Sequence, residues 1–127
     1  MKKLLIGLAG IATICVILCV VIARKEYSEV NAIDTTPVDI SKVENGVYEG
    51  YSETTLVKAR VEVTVTDGKI ENIEILEHDC GKGKPANAIV KDMVNDNDVE
   101  VDAVSGATIS SEVIKDAVRN ALREGRK

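Results

Sequence analysis

The chain has 127 residues, with 16 Lys and Arg against 21 Asp and Glu, for a formal net charge of −5. That length holds one small domain and an appendage, and it excludes large scaffolds such as the eight-stranded α/β barrel. Lys2, Lys3, Arg24 and Lys25 precede the first acid, so residues 26–127 carry 12 bases against all 21 acids, a net of −9; this argues against nucleic acid, whose phosphates need a basic face.

Leu4 to Ala23 is a run of 20 uncharged residues. A bilayer core of about 30 Å takes roughly 20 helical residues at about 1.5 Å each. Residues 1–25 are therefore expected to form a transmembrane signal anchor. A cleaved signal peptide has a shorter apolar region, about 7–15 residues, and a small-x-small exit. Here the exit reads Val21-Ile22-Ala23-Arg24. Lipoprotein processing does not fit either, because Ile14 precedes Cys15 and Leu18 precedes Cys19. The start amine, Lys2 and Lys3 against Arg24 and Lys25 bias the N-terminus inside. The expectation is a single-pass protein of the cell membrane with its C-terminal domain outside the cytoplasm. Tyr27 falls where an interfacial aromatic sits. Cys15 and Cys19, one helical turn apart in the span, read as apolar filler. Cys80 is alone beyond it, so the outer part has no internal disulfide.

Residues 26–44 show no sustained period and hold Asn31, Asp34, Thr35, Thr36, Pro37 and Ser41. They read as a linker, which 19 flexible residues would stretch over at most a few tens of ångströms. Residues 45–127 then form the domain. Gly46 to Tyr51 reads as a short strand. Val57, Ala59, Val61, Val63 and Val65 alternate with polar residues, which predicts a strand with one buried face. Asp67-Gly68 is a tight hairpin pair. Ile70, Ile73 and Ile75 form the return strand, and the parity switch between 70 and 73 predicts a bulge. Pro85 suits the first turn of a helix carrying Ala86, Ile89, Val90, Met93 and Val94, which ends in the polar run Asn95 to Asp98. Val99-Glu100-Val101 reads as a short strand. Val113, Ile114, Ala117, Val118, Ala121 and Leu122 make the stripe of a last helix, with Ser110 or Ser111 to cap its start and Gly125 to end it. The fold class is α+β: a small antiparallel sheet with two helices on one face, preceded by the N-terminal transmembrane helix.

Most candidate chemistry fails on spacing. His78 is the only histidine, and with Cys80 it makes two ligands, too few for a structural zinc; it reads as an exposed loop residue. Asn95 to Asp98 lacks the central Gly and closing Glu of a calcium loop. Gly81-Lys82-Gly83-Lys84 lacks the full phosphate-loop pattern and reads as a turn. One His and no elbow motif leave no hydrolytic triad. One segment stands apart, Asp102-Ala103-Val104-Ser105-Gly106-Ala107-Thr108-Ile109-Ser110-Ser111. It is small and hydroxyl-rich, and it runs into the best helix. Such a loop suits a phosphate: Gly106 and Ala107 open the backbone, and the helix start offers free N–H groups and a positive dipole end. The same features also describe a plain N-cap.

The run from Asp102 to Ser110 resembles, position by position, the D-x-x-S-G-A-T-x-S flavinylation motif of the FMN-binding domain family. That family includes the covalent-flavin subunits of the Rnf and sodium-pumping NADH:quinone oxidoreductase complexes. The similarity extends over about residues 46–124, through the Gly46 to Gly50 opening, the Asp67 to Ile70 hairpin, the Glu77 to Ala86 stretch and the Ser110 to Leu122 helix.

The resemblance implies covalent FMN on Thr108 through a phosphoester bond. A separate flavin transferase would attach it, with FAD as donor and a divalent metal. It implies that Ser105, Gly106 and Ala107 shape the cofactor loop, and that Asp102 and Ser110 belong to the transferase's recognition motif; a cap to its own loop is the other reading of Asp102. The protein would be an electron carrier rather than an enzyme with its own substrate. Its redox partner would be a membrane dehydrogenase, a quinone or another acceptor. An acidic surround disfavours the anionic reduced flavin and lowers its potential. Tyr48 or Tyr51 is expected to stack on the isoalloxazine ring or to sit in the core, with His78 a weaker candidate. The alternatives are an accessory or sensor module of the same family without covalent flavin, and a membrane-tethered interaction domain in which the motif is only a helix cap.

Overall fold

The computed structural model describes residues 2–79 and 84–126, with residues 79, 84 and 85 described by their backbone alone. Cys80 and Gly81-Lys82-Gly83 lie outside the described residues. A long helix, α1 (Lys2–Asn31), is followed by three strands, β1 (Gly46–Glu53), β2 (Lys58–Thr66) and β3 (Lys69–Asp79). Two helices complete the domain, α2 (Ile89–Asp96) and α3 (Thr108–Glu124). The strands form one antiparallel sheet in the order β1-β2-β3.

The period-two pattern of β2 works as expected. Ala59, Val61, Val63 and Val65 are buried, while Lys58, Arg60 and Thr66 stay in solvent. At the hairpin, Asp67 (φ 52°) and Gly68 (φ 72°) both take positive φ, the mark of a turn whose twist matches the strands. The anticipated bulge is there: Thr64 faces Asn72 but Val65 faces Ile70, so Glu71 is the extra residue. A second irregularity, between Arg60/Val61 and Glu77/Ile75, skips Leu76. The first bulge brings Ile70 onto the same face as Ile73 and Ile75, directly across from the β2 valines.

α3 and α2 cover that face and share one apolar core with it. α3 lies close to β1 because Gly50 lets it: a Cβ there would fall 1.9 Å from the Ala117 carbonyl oxygen. Gly125 ends α3 as expected, though in right-handed backbone (φ −89°). Its glycine is required by contact instead, since a Cβ would meet the Tyr48 ring at 2.3 Å. α2 ends at Asn97, which takes left-handed φ 51°; Asp98 N–H donates to the Met93 carbonyl, and Asn97 Oδ1 accepts from Ile70 N–H at the bulge.

Four expectations need correction. The residues read as a linker begin as helix, because α1 continues to Asn31. Lys84–Ala88, which contains Pro85, is a 3-10 turn, and α2 proper starts at Ile89. Val99-Glu100-Val101 is not a strand. Val99 and Val101 are buried, but their backbone is satisfied locally: Asp98 Oδ1 accepts from Glu100 N–H, and the Val99 carbonyl from Val101 N–H. Last, α3 starts two to three residues before Ser110 and Ser111, at Thr108, and neither serine is its cap.

α1 is long and apolar enough to cross a membrane. Its apolar side chains, Leu4 to Ile22, are exposed along this length. Past Arg24 the helix becomes a stem that grips the domain. Glu26 is 1 % exposed and accepts hydrogen bonds from the Thr54 hydroxyl and from Leu56 N–H. One turn on, Glu29 accepts from Thr55 N–H and its hydroxyl. Both carboxylates thus hold the 54–57 turn between β1 and β2.

Candidate functional site

α3 runs antiparallel to β1. Gly125 meets Tyr48 near one end, Ala117 and Ala121 cross Gly50 in the middle, and Ser52 donates to Asp116 Oδ2 at 2.5 Å nearer the start. The beginning of α3 therefore lies at the sheet end where β1 turns into β2 and where β3 finishes. The loop 102–107 and the stem of α1 converge on that end.

Thr108 is the first residue of α3 and is exposed. Ala107 stands at the cap position, no side chain caps it, and the first turn holds no acid. An ordinary helix start is neutralised by a capping oxygen or a carboxylate. Here the first-turn N–H groups and the positive dipole end are left for an anion. Gly106, at φ 81°, is open: a Cβ built on it meets nothing within 4 Å. The approach to the backbone beside Thr108 is unobstructed.

The loop is shaped from behind by Ser111. This fully buried hydroxyl accepts from Val104 N–H at 3.0 Å and donates to the Ala107 carbonyl at 2.7 Å. Ala107 N–H donates to the Val104 carbonyl at 2.9 Å, closing the turn that presents Gly106.

The structure brings Asp102, Ser105, Gly106 and Thr108 to the surface of one short segment. Among the described residues, the Asp102 carboxylate has no hydrogen-bond or ion-pair partner, so it does not cap its own loop. Ala107 (6 % exposed) and Ser110 (3 %) face inward. An enzyme docking on the folded domain meets the Asp102 side chain directly, and the Ser110 hydroxyl only if the helix start opens.

Thr108 also borders a cavity of about 290 Å³, with Ile109 and Glu112 from α3 on one side and Tyr27, Val30 and Ile33 of the stem region on the other. Its size is near the lower end of small-ligand pockets, roughly 300–1,000 Å³. Glu112 Oε1 pairs with Lys115 Nζ at 3.4 Å. Beyond it, Glu100 takes Arg119, 1 % exposed, through two hydrogen bonds and lies 3.9 Å from Lys115. This cationic pair fixes the 99–101 segment against α3.

Tyr48 packs against the core, one of its two expected places, while Tyr51 takes neither. The Tyr48 hydroxyl donates to the Glu44 carbonyl, with its ring against Gly125. That is the opposite end of α3, about 24 Å from Thr108 for a helix of this length. Tyr51 is on the outer side, under the Arg60 guanidinium (5.7 Å) and donating to Glu53; that hydrogen bond holds its phenol above the usual range. The aromatic ring beside Thr108 is Tyr27. His78 is not on a loop: it is half-buried on β3, opposite Ala59, at the same sheet end as Thr108. Its Nδ1 pairs with Asn87 Oδ1, and its Nε2 is buried with no partner among the described residues.

A model of the FMN-binding domain family matches residues 50–123, from the Gly50 crossing to the last turn of α3. The chain belongs to the FMN-binding domain family. FMN fits what is present. Its phosphate suits an uncapped helix start beside an open glycine, and part of its ring system suits a cavity with apolar walls.

Sequence reasoning missed the stem and Ser111. The stem had a signal: Tyr27, Val30 and Asn31 keep helical spacing past the apolar run, and no proline intervenes before Pro37. Ser111 had none, since a serine in a first turn reads as a cap whichever way it points.

Proposed function

We propose that this chain is a membrane-anchored electron-transfer flavoprotein whose domain lies outside the cytoplasm and carries FMN in phosphoester linkage to Thr108. The observation that carries this reading is the exposed Thr108 hydroxyl at a helix start with no cap and no first-turn acid, inside a chain of the FMN-binding domain family. When bound, the flavin supplies the redox chemistry; the chain tethers it and sets its surroundings. The Thr108 oxygen serves as acceptor. It bonds to the phosphorus of the FMN half of FAD, the pyrophosphate link breaks, AMP leaves with the bonding pair, and the hydroxyl proton passes to solvent through the transferase. Asp102, free on the adjacent surface, is the group offered to the transferase and its divalent metal. The redox partner is a membrane dehydrogenase, a quinone or another acceptor.

Intact mass of the full chain tests the reading, after production with and without a flavin transferase and beside Thr108→Ala. The expected result is a gain of one FMN less one water, dependent on the transferase and absent from the variant. Since Thr108 is exposed and makes no capping bond, the substitution should change stability by no more than about 0.5 kcal/mol. No gain in any sample would favour the accessory or sensor module. A gain that survives Thr108→Ala would place the flavin on another residue.

A further inference from the structure

The cavity beside Thr108 has one wall from the domain and one from the stem that continues α1. The stem wall is not loosely placed. Glu26 and Glu29 grip the 54–57 turn, and below them Arg123 reaches the Asp34 and Thr36 carbonyls and lies 3.6 Å from the Asp34 carboxylate. Tyr27 stands between these fixed points, 63 % exposed as a residue. The chain has no Trp or Phe, and Tyr48 and Tyr51 are engaged elsewhere. Tyr27 is therefore the tyrosine placed to meet a planar group tethered at Thr108, and Val30, Ile33 and Ile109 supply apolar contact around it.

We propose that the isoalloxazine ring of the flavin on Thr108 seats in this cavity against Tyr27, so that the helix crossing the membrane is also a wall of the redox site. This rests on the covalent-FMN reading above. Tyr27 lies four residues past Ala23, about 6 Å along the helix, which puts the ring in the headgroup layer. Tyr27 is a positioning residue: it holds the plane of the ring and takes no part in the attachment.

The experiment uses the full chain in detergent or nanodiscs, loaded by a co-expressed transferase, as wild type, Tyr27→Leu, Tyr27→Trp and Tyr51→Leu. Intact mass reports attachment; flavin fluorescence, visible circular dichroism and iodide quenching report the ring's surroundings. A phenol in contact with an excited flavin quenches its emission by electron transfer. Full FMN mass is expected in all four proteins. Tyr27→Leu should brighten flavin emission several-fold and weaken the visible dichroism. Tyr27→Trp should stay quenched, and Tyr51→Leu should match wild type. Full mass with emission, dichroism and iodide access unchanged in Tyr27→Leu would overturn the proposal and leave the covalent linkage standing. Wild type without FMN mass would overturn the covalent reading, and this proposal with it.

Discussion

The two ends of α3 are built on opposite rules. Toward its C-terminus the helix is tied down by contacts: Gly125 lies against the Tyr48 ring, Arg126 bridges to Val43, and Glu44 N–H donates to the Gly125 carbonyl. At its N-terminus the helix starts without a cap, next to a glycine with empty space above it. The same seventeen residues thus serve as the keystone of the core and present an open, uncapped start. One end carries stability, so the other is free to leave its N–H groups unmet, a cost of the order of a lost cap, about 1 kcal/mol.

Breaking the closed part should have the largest effect. Gly50→Ala drives a Cβ into the Ala117 carbonyl and the Ala121 backbone, neither of which can turn aside as a side chain would. A loss of about 3 kcal/mol or more is expected in urea unfolding of the full chain in detergent. Ser111→Ala tests the link between the two ends. It leaves Val104 N–H unmet behind the loop, for a loss of about 1–3 kcal/mol, and it should also slow transferase-dependent FMN loading, measured by mass against time. An unchanged loading rate would mean that the shape of the 104–107 turn is set by something else.

The smallest effect concerns pH. Hydrogen bonds from the Thr36 hydroxyl and N–H hold the Asp34 carboxyl below its ordinary 3.8, with help from Arg123. A carboxyl with a depressed native pKa contributes above its unfolded value, and the contribution fades as pH falls through the lowered one. Amide exchange at Thr36 should therefore stay flat from pH 7 down to about 4, after correction for intrinsic rates, and accelerate below that. Asp34→Asn should remove this acid-dependent rise.

Much of the domain was legible because its signals are local. Alternation along β2, the Asp67-Gly68 pair, the parity switch at Ile70 and Ile73 and the stripe on α3 each depend on a few neighbouring residues. The misreadings share another cause. Val99-Glu100-Val101 has a strand's alternation but bonds locally and to Arg119 on α3 instead of to the sheet, and alternation alone does not reveal which partner a segment takes. Glu26 and Glu29 look like solvated charges after an apolar run, because the groups they grip are about 25–30 residues away in the chain. Thr108 was legible as a candidate through the motif, while Tyr27, on the far side of the cavity, belonged to a segment assigned to the membrane boundary.

The grip of Glu26 and Glu29 has a geometric consequence. A flexible tether would let the domain sweep a hemisphere above the bilayer and collide with partners by diffusion. A helix running unbroken from the apolar core to Asn31 acts as a ruler. It fixes the altitude of Thr108 within about 12 Å of where the apolar run ends, so whatever binds at the start of α3 is held at that height.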